Sequence, residues 1–276
     1  MITDSQIHVW EDDRPDRPWP KPLRNQPQLP NGFTADKAIA AMNATGIDRA
    51  IIVPPTWIGD QNDTAIEAAQ AYPGRFGIMG RFDPVAPGWE DRLKTWRDQP
   101  YMLGIRMTFR VQPFAAWLED DTLNNFWAAC ERLGIPVMVL VPGVVRKIEP
   151  VAARYPNLNL IIDHMGIDLT AKGEEATNID DLLAIARHPN VAVKTSSAPC
   201  FSRDPYPYAD IYEMLSSIYN AFSSHRMLWG ADLTRLTSTY EECLRHFQEG
   251  LDFLTAEDKE WCLGKSAATI LNWPES

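Results

Sequence analysis

The chain has 276 residues, 45% of them hydrophobic, and its 26 Lys and Arg against 37 Asp and Glu leave a formal charge of −11. That length suits one large α/β domain, and the surplus of acid argues against a nucleic-acid binder. No apolar run is long enough to span a bilayer and no apolar leader precedes the first strand pattern, so the expected setting is the cytoplasm, away from membranes.

Apolar runs of strand length recur at 2–10, 49–54, 75–82, 102–109, 136–141, 158–164, 191–196 and 227–232. Helical patterns separate them at 35–45, 64–71, 89–96, 120–133, 144–154, 179–187, 209–222 and 238–250, and a last one covers 256–271. Asp121 and Thr122 are the expected N-caps of the helix at 120–133, and Gly134 its terminator. Strands alternating with helices predict a parallel sheet, and eight such units predict a closed (β/α)8 TIM barrel forming a single domain over 1–276. No Gly-rich phosphate loop follows the first strand, which speaks against a dinucleotide-binding fold.

Two connections are long. Residues 11–32 hold six prolines and Trp19; residues 198–208 hold Cys200, Phe201, Arg203, three prolines and two tyrosines. Both follow strands, so both are expected on the catalytic face as stiff lids or pocket walls. The four cysteines form no C-x-x-C pair. Cys130, Cys243 and Cys262 fall in helical patterns and read as buried thiols, and Cys200 lies in a polar loop. His188, His225 and His246 are expected at surfaces or helix ends.

A polar side chain on a strand covered on both faces needs a reason. Gln6 and His8 share one face of the first strand. Arg106 lies on the fourth, with Arg110 four residues on at the same parity. Asp163-His164 ends the sixth, Lys194 lies on the seventh, and Asp232 ends the eighth. In a barrel these positions converge at the C-terminal face, where two imidazoles, a carboxylate and cations can bind a small anionic molecule and activate water.

In this order the residues resemble the amidohydrolase superfamily, and within it the amidohydrolase-2 branch of TIM-barrel metal-dependent hydrolases and small-molecule lactonases. Asp4-Ser5-Gln6-Ile7-His8-Val9-Trp10 is similar to the branch's opening D-x-H-x-H segment. Asn62, Tyr72-Pro73-Gly74-Arg75-Phe76, Asp83-Pro84, Gly104-Ile105-Arg106, Asp163-His164-Met165-Gly166, Lys194-Thr195-Ser196 and Leu228-Trp229-Gly230-Ala231-Asp232 match later segments.

The resemblance implies hydrolysis of a cyclic ester. Asp232 would be the general base, and His8 and His164 would polarise the carbonyl or hold the water. Arg106 and Arg110 would clamp a substrate carboxylate. Lys194 would stabilise developing negative charge or pair with Asp232. Gln6 would orient water or substrate, and Trp57 and Trp19 would cover the site. A metal, if present, would be one zinc or other divalent cation on His8, His164 and Asp232. Gln6 stands where the branch has its first histidine and the fifth strand, 136–141, offers no ligand, so the expectation is a lactonase without a metal. The alternatives are a zinc-dependent decarboxylase of an aromatic or enoic acid, or a lactone isomerase or hydratase. Oligomeric state is left open.

Overall fold

Eight short parallel strands and the helices between them make up the computed structural model, which describes residues 1–23, 25–110 and 113–273. The strands are β1 (Thr3–Ile7), β2 (Arg49–Ile52), β3 (Phe76–Gly80), β4 (Met102–Thr108), β5 (Val137–Leu140), β6 (Leu160–Ile162), β7 (Val191–Lys194) and β8 (Met227–Leu228). Each pairs in parallel with the next in sequence. Backbone bonds from Ser5 N–H to Trp229 O at 3.0 Å and from Asp232 N–H to Gln6 O at 2.9 Å join the two edges. The result is the (β/α)8 TIM barrel.

The α-helices are α1 (Ala35–Thr45), α2 (Asp63–Ala71), α3 (Trp89–Lys94), α4 (Asn124–Leu133), α5 (Glu149–Arg154), α6 (Asp180–Ile185), α7 (Tyr212–Phe222), α8 (Tyr240–Arg245), α9 (Ala256–Glu260) and α10 (Ser266–Ile270). Two differences from expectation have local causes. α4 begins at Asn124, because the Asp120 carboxylate accepts the Thr122 N–H at 2.9 Å and makes a turn before the helix. Gly134 ends it in the left-handed region, φ 60°, as expected. The terminal helix is broken by a π-helical stretch at Trp261–Lys265, and a second such stretch, His246–Gly250, follows α8.

The barrel interior is layered. At the bottom Ile51, Met79, Leu103, Met138, Ile161, Ala192 and Leu228 pack on one another and on Ala267 and Leu271 of the C-terminal segment, which plugs the barrel. A larger apolar shell fills the space between strands and helices. Polar side chains begin above the plug. The dry floor raises the strength of any charge interaction placed on it. No helix among the described residues is long and apolar enough to cross a membrane.

Candidate active site

Directly above the plug, three charged side chains, Arg106, Asp163 and Lys194, form a buried layer with Gln6. Lys194 and Asp163 are 0% exposed and Arg106 4%. Arg106 Nε donates to Asp163 Oδ2 at 2.8 Å, and Lys194 Nζ lies 3.0 Å from Asp163 Oδ1. Lys194 also donates to Gln6 Oε1 and lies 3.6 Å from Met138 Sδ. Burial alone would raise the Asp163 carboxyl, but Lys194 and Arg106 outweigh it and hold the group well below the usual carboxylate range. Lys194 is pulled down by burial and partly restored by Asp163. Its ion-pair partner is thus Asp163, whereas a pairing with Asp232 was one of the two expected roles.

This layer fixes the chemistry above it. An ammonium has only donors, so Gln6 must turn its carbonyl oxygen to Lys194 and its N–H₂ to His8. Gln6 Nε2 lies 3.3 Å from His8 Nε2, and His8 Nδ1 lies 2.6 Å from the Val53 carbonyl oxygen. A carbonyl can only accept, so His8 carries its proton on Nδ1 and presents a lone pair at Nε2. Burial lowers the His8 pKa, opposed chiefly by Asp232, and so favours the neutral ring. His164 Nδ1 contacts Ser196 Oγ at 2.8 Å and Ser197 Oγ at 3.4 Å. With Ser196 donating to Nδ1, Nε2–H of His164 faces Asp232, 3.8 Å from Oδ2.

Asp232 lies between the two rings. Its Oδ1 is 3.4 Å from His8 Nε2, and Ser197 Oγ donates to Oδ2 at 3.4 Å. Oδ1 has no hydrogen-bond donor among the described residues although it is buried. His164, Ser197 and Asp232 all adopt left-handed backbone, with φ of 49°, 57° and 52°. Such conformations cost non-glycine residues about 1–3 kcal/mol each and cluster where side chains must be aimed. Here they turn the ends of three strands inward onto one point.

Burial pushes His164 down to about 3 from an ordinary 6.5, against the pull of Asp232 and Asp163. A folded-state pKa below the unfolded value favours the neutral ring. Its stabilising contribution is therefore full above 6.5 and is lost as pH falls toward 3. His164→Asn is expected to flatten the fall of Tm between about pH 7 and about pH 4 seen in the parent. Parallel Tm–pH curves for the two proteins would remove this assignment.

Above the floor a cavity of about 500 Å³ opens at the C-terminal ends of the strands. His8, His164 and Asp232 form its base; Trp57, Phe82, Phe114, Trp117 and Leu140 give it apolar walls; and Arg81, Arg106, Arg110 and Arg235 reach it. Trp57 packs edge-on against His8, ring centroids 6.1 Å apart. Gln6 and Lys194 do not line the cavity. Both are fully buried beneath it, so they act on the site from below, where direct substrate contact was expected. Arg106 lines the cavity with its Nε already engaged by Asp163 and Nη1 donating to Thr108 at 3.0 Å. Arg110 stands exposed at the mouth.

The long connections behave differently from expectation. Of the described residues in 11–32, Asn25 and Gln28 line the cavity. Trp19 packs into a satellite cluster with Trp10, Trp57 and Ile58, and its indole N–H donates to Glu11 O at 3.2 Å, so its ring is spent on holding the loop rather than on covering the site. Residues 198–208 line nothing in the cavity. They support Arg235 from behind: Phe201 lies under the guanidinium, 5.1 Å from ring centroid to Cζ, and Cys200 Sγ donates to Arg235 O at 3.4 Å. Arg235 Nη2 donates to Leu169 O at 2.7 Å, which aims the group. Cys200 is buried, and so is His246, which lies at the end of α8, one of its two expected places, and packs on the rings of Tyr208 and Phe247.

Sequence reading missed Arg81, Ser196, Ser197 and Arg235. Arg81 shares the parity of Met79 and Ser196 that of Lys194, so the alternation that found Arg106 would have found both. Ser197 and Arg235 lie beyond their strands, where alternation has no meaning.

Among the described residues, no group of three or more His, Cys, Asp or Glu side chains is placed to hold a metal ion. The donor set explains why. Gln6 offers His8 an N–H where a ligand would stand, its oxygen is taken by Lys194, and β5 contributes the Met138 thioether. In Gln6 and the thioether this donor set departs from the His, Cys and carboxylate ligands of a zinc centre.

Comparison with known proteins agrees with the fold. The chain is 24% identical over 234 residues to the 4-sulfomuconolactone hydrolase of Hydrogenophaga intermedia, covering 81% of this chain and 74% of that protein. It is 21% identical over 233 residues to the L-fucono-1,5-lactonase of Burkholderia ambifaria, covering 83% and 79%. An amidohydrolase from Burkholderia multivorans, solved with bound zinc, superposes with a TM-score of 0.81 at 21% identity over 99% of this chain and 100% of its own. The amidohydrolase family model matches residues 3–273, and the chain belongs to that family.

Proposed function

We propose that the protein opens the ring of a small anionic lactone by general-base hydrolysis without a metal. One observation carries the reading: Asp232 Oδ1, a buried carboxylate oxygen without a donor, faces the cavity floor between two neutral imidazoles of opposite polarity. His8 offers a lone pair and His164 an N–H. The likeness to two lactone hydrolases supports the substrate class.

The roles follow from the proton positions. Water donates one hydrogen to Asp232 Oδ1; its oxygen adds to the ester carbonyl carbon. Negative charge grows on the carbonyl oxygen, and His164 Nε2–H and the Arg106 guanidinium stabilise it. The ring C–O bond then breaks, and Asp232 returns the proton to the departing alkoxide. The product is one open-chain hydroxy acid. Each well-placed donor is worth about 3–4 kcal/mol at the barrier. Arg81, Arg110 and Arg235 would hold the anionic substituents.

Ring opening makes a new carboxylate, so a pH-stat follows it directly on a panel of carboxylated and sulfonated γ- and δ-lactones. Consumption of base with a product heavier by one water is the expected result. Release of carbon dioxide instead would establish a decarboxylase. Exhaustive chelation is expected to leave the rate unchanged; stoichiometric zinc in elemental analysis, with activity lost on its removal, would overturn the metal-free reading.

A further inference from the structure

β8 is only two residues long and has no ladder partner on its β1 side. The seam between the segments that carry His8 and Asp232 is held by two backbone bonds, Ser5 N–H to Trp229 O and Asp232 N–H to Gln6 O, and by a side chain. Asp4 is 0% exposed. Its Oδ1 accepts the Gln6 N–H at 2.9 Å and the Ala231 N–H at 2.9 Å. One carboxylate oxygen thus ties the residue two before His8 to the residue immediately before Asp232. Its Oδ2 accepts the Tyr240 hydroxyl at 2.7 Å. Tyr240 opens α8 behind a Thr239–Glu242 capping box and stacks on Trp229, rings 6.4 Å apart and 16° from parallel.

The neighbourhood is built around this carboxylate. The register of β1 on β2 shifts between Asp4 and Ile7, at the point where Asp4 engages β8. A Cβ on Gly230 would stand 2.7 Å from Ser5 Oγ and 3.1 Å from both Asp4 Oδ1 and Gln6 N, so only glycine lets the two chains approach this closely. The tie acts at the base of the catalytic groups: Asp232 N–H donates to Gln6 O at 2.9 Å, inside the loop that Asp4 closes.

We infer that Asp4 and Tyr240 form a clasp that sets the spacing of His8 and Asp232, and that both are positioning residues for the hydrolysis. The inference rests on the lactone-hydrolase reading for its kinetic test, and a second readout is independent of it.

Tyr240→Phe removes the bond to Oδ2 and keeps the ring stack. It is expected to lower kcat about tenfold with KM little changed, and to move the acidic limb of the kcat–pH profile. Asp4→Asn keeps an oxygen for both N–H donors and can donate its amide to the Tyr240 oxygen, so it is expected to stay within about threefold of the parent. Gly230→Ala is expected to resemble Tyr240→Phe or be worse. A Tyr240→Phe protein with lowered Tm but unchanged kcat and pH profile would overturn the clasp. If the parent opens no lactone, the hydrolase reading fails alone. Side-chain nitrogen NMR of the histidines then decides: a shift of the His8 Nε2 resonance in Tyr240→Phe supports the clasp, and an unmoved resonance overturns it.

Discussion

Asp232→Asn is expected to lower kcat by about a thousandfold or more while leaving Tm within a few degrees, because an amide cannot take a proton from water. The two carboxylate oxygens differ, which sharpens the test. Oδ2 accepts from Ser197 at 3.4 Å, and an Asn oxygen can keep that bond. The amide N–H₂ would then fall where Oδ1 stands, 3.4 Å from His8 Nε2, and would present a donor where the water needs an acceptor. The variant would thus lose the base while holding the fold together. Substrate should still bind, since Arg81, Arg106, Arg110 and Arg235 are untouched, so the loss belongs in kcat. An Asn variant with near-parental kcat would remove Asp232 as the base.

The largest stability effect is expected from Lys194→Met. Lys194 is wholly enclosed, and its ammonium serves Asp163 Oδ1 at 3.0 Å and the Gln6 carbonyl. Removing one partner of a buried ion pair strands the other, at about 3–5 kcal/mol. In a domain of this size that corresponds to roughly 10 °C in Tm. Scanning calorimetry is the direct measurement, and a Tm within about 2 °C of the parent would show that Arg106 alone satisfies Asp163. The variant should also lose activity. With no ammonium to accept, the Gln6 amide is free to turn its oxygen toward His8 Nε2, and two acceptors then face each other.

The fold was legible because every strand is an apolar run between turn signals, and each run lies within a few residues of a strand in the structure. Helix starts were less so: Asp120 and Thr122 have the chemistry of a cap, and only their geometry shows a turn that precedes the helix. In the site, strand parity identified the residues that reach the barrel axis but not their depth. Gln6 and Lys194 alternate correctly yet lie below the cavity, since the height of a side chain depends on strand stagger. Their mutual bond spans 188 positions, beyond any local pattern. Proline content suggested that residues 11–32 and 198–208 are stiff, but composition does not say which way a stiff loop leans.

The left-handed turns at His164, Ser197 and Asp232 carry a consequence for how this protein can change. Glycine would relax each of them, and at Ser197 it would delete only a hydroxymethyl group. A screen that scores heat resistance alone is therefore expected to enrich Ser197→Gly, while a screen that scores turnover should reject it, because the same hydroxyl aims His164 and Asp232. Durability and rate pull this one codon in opposite directions.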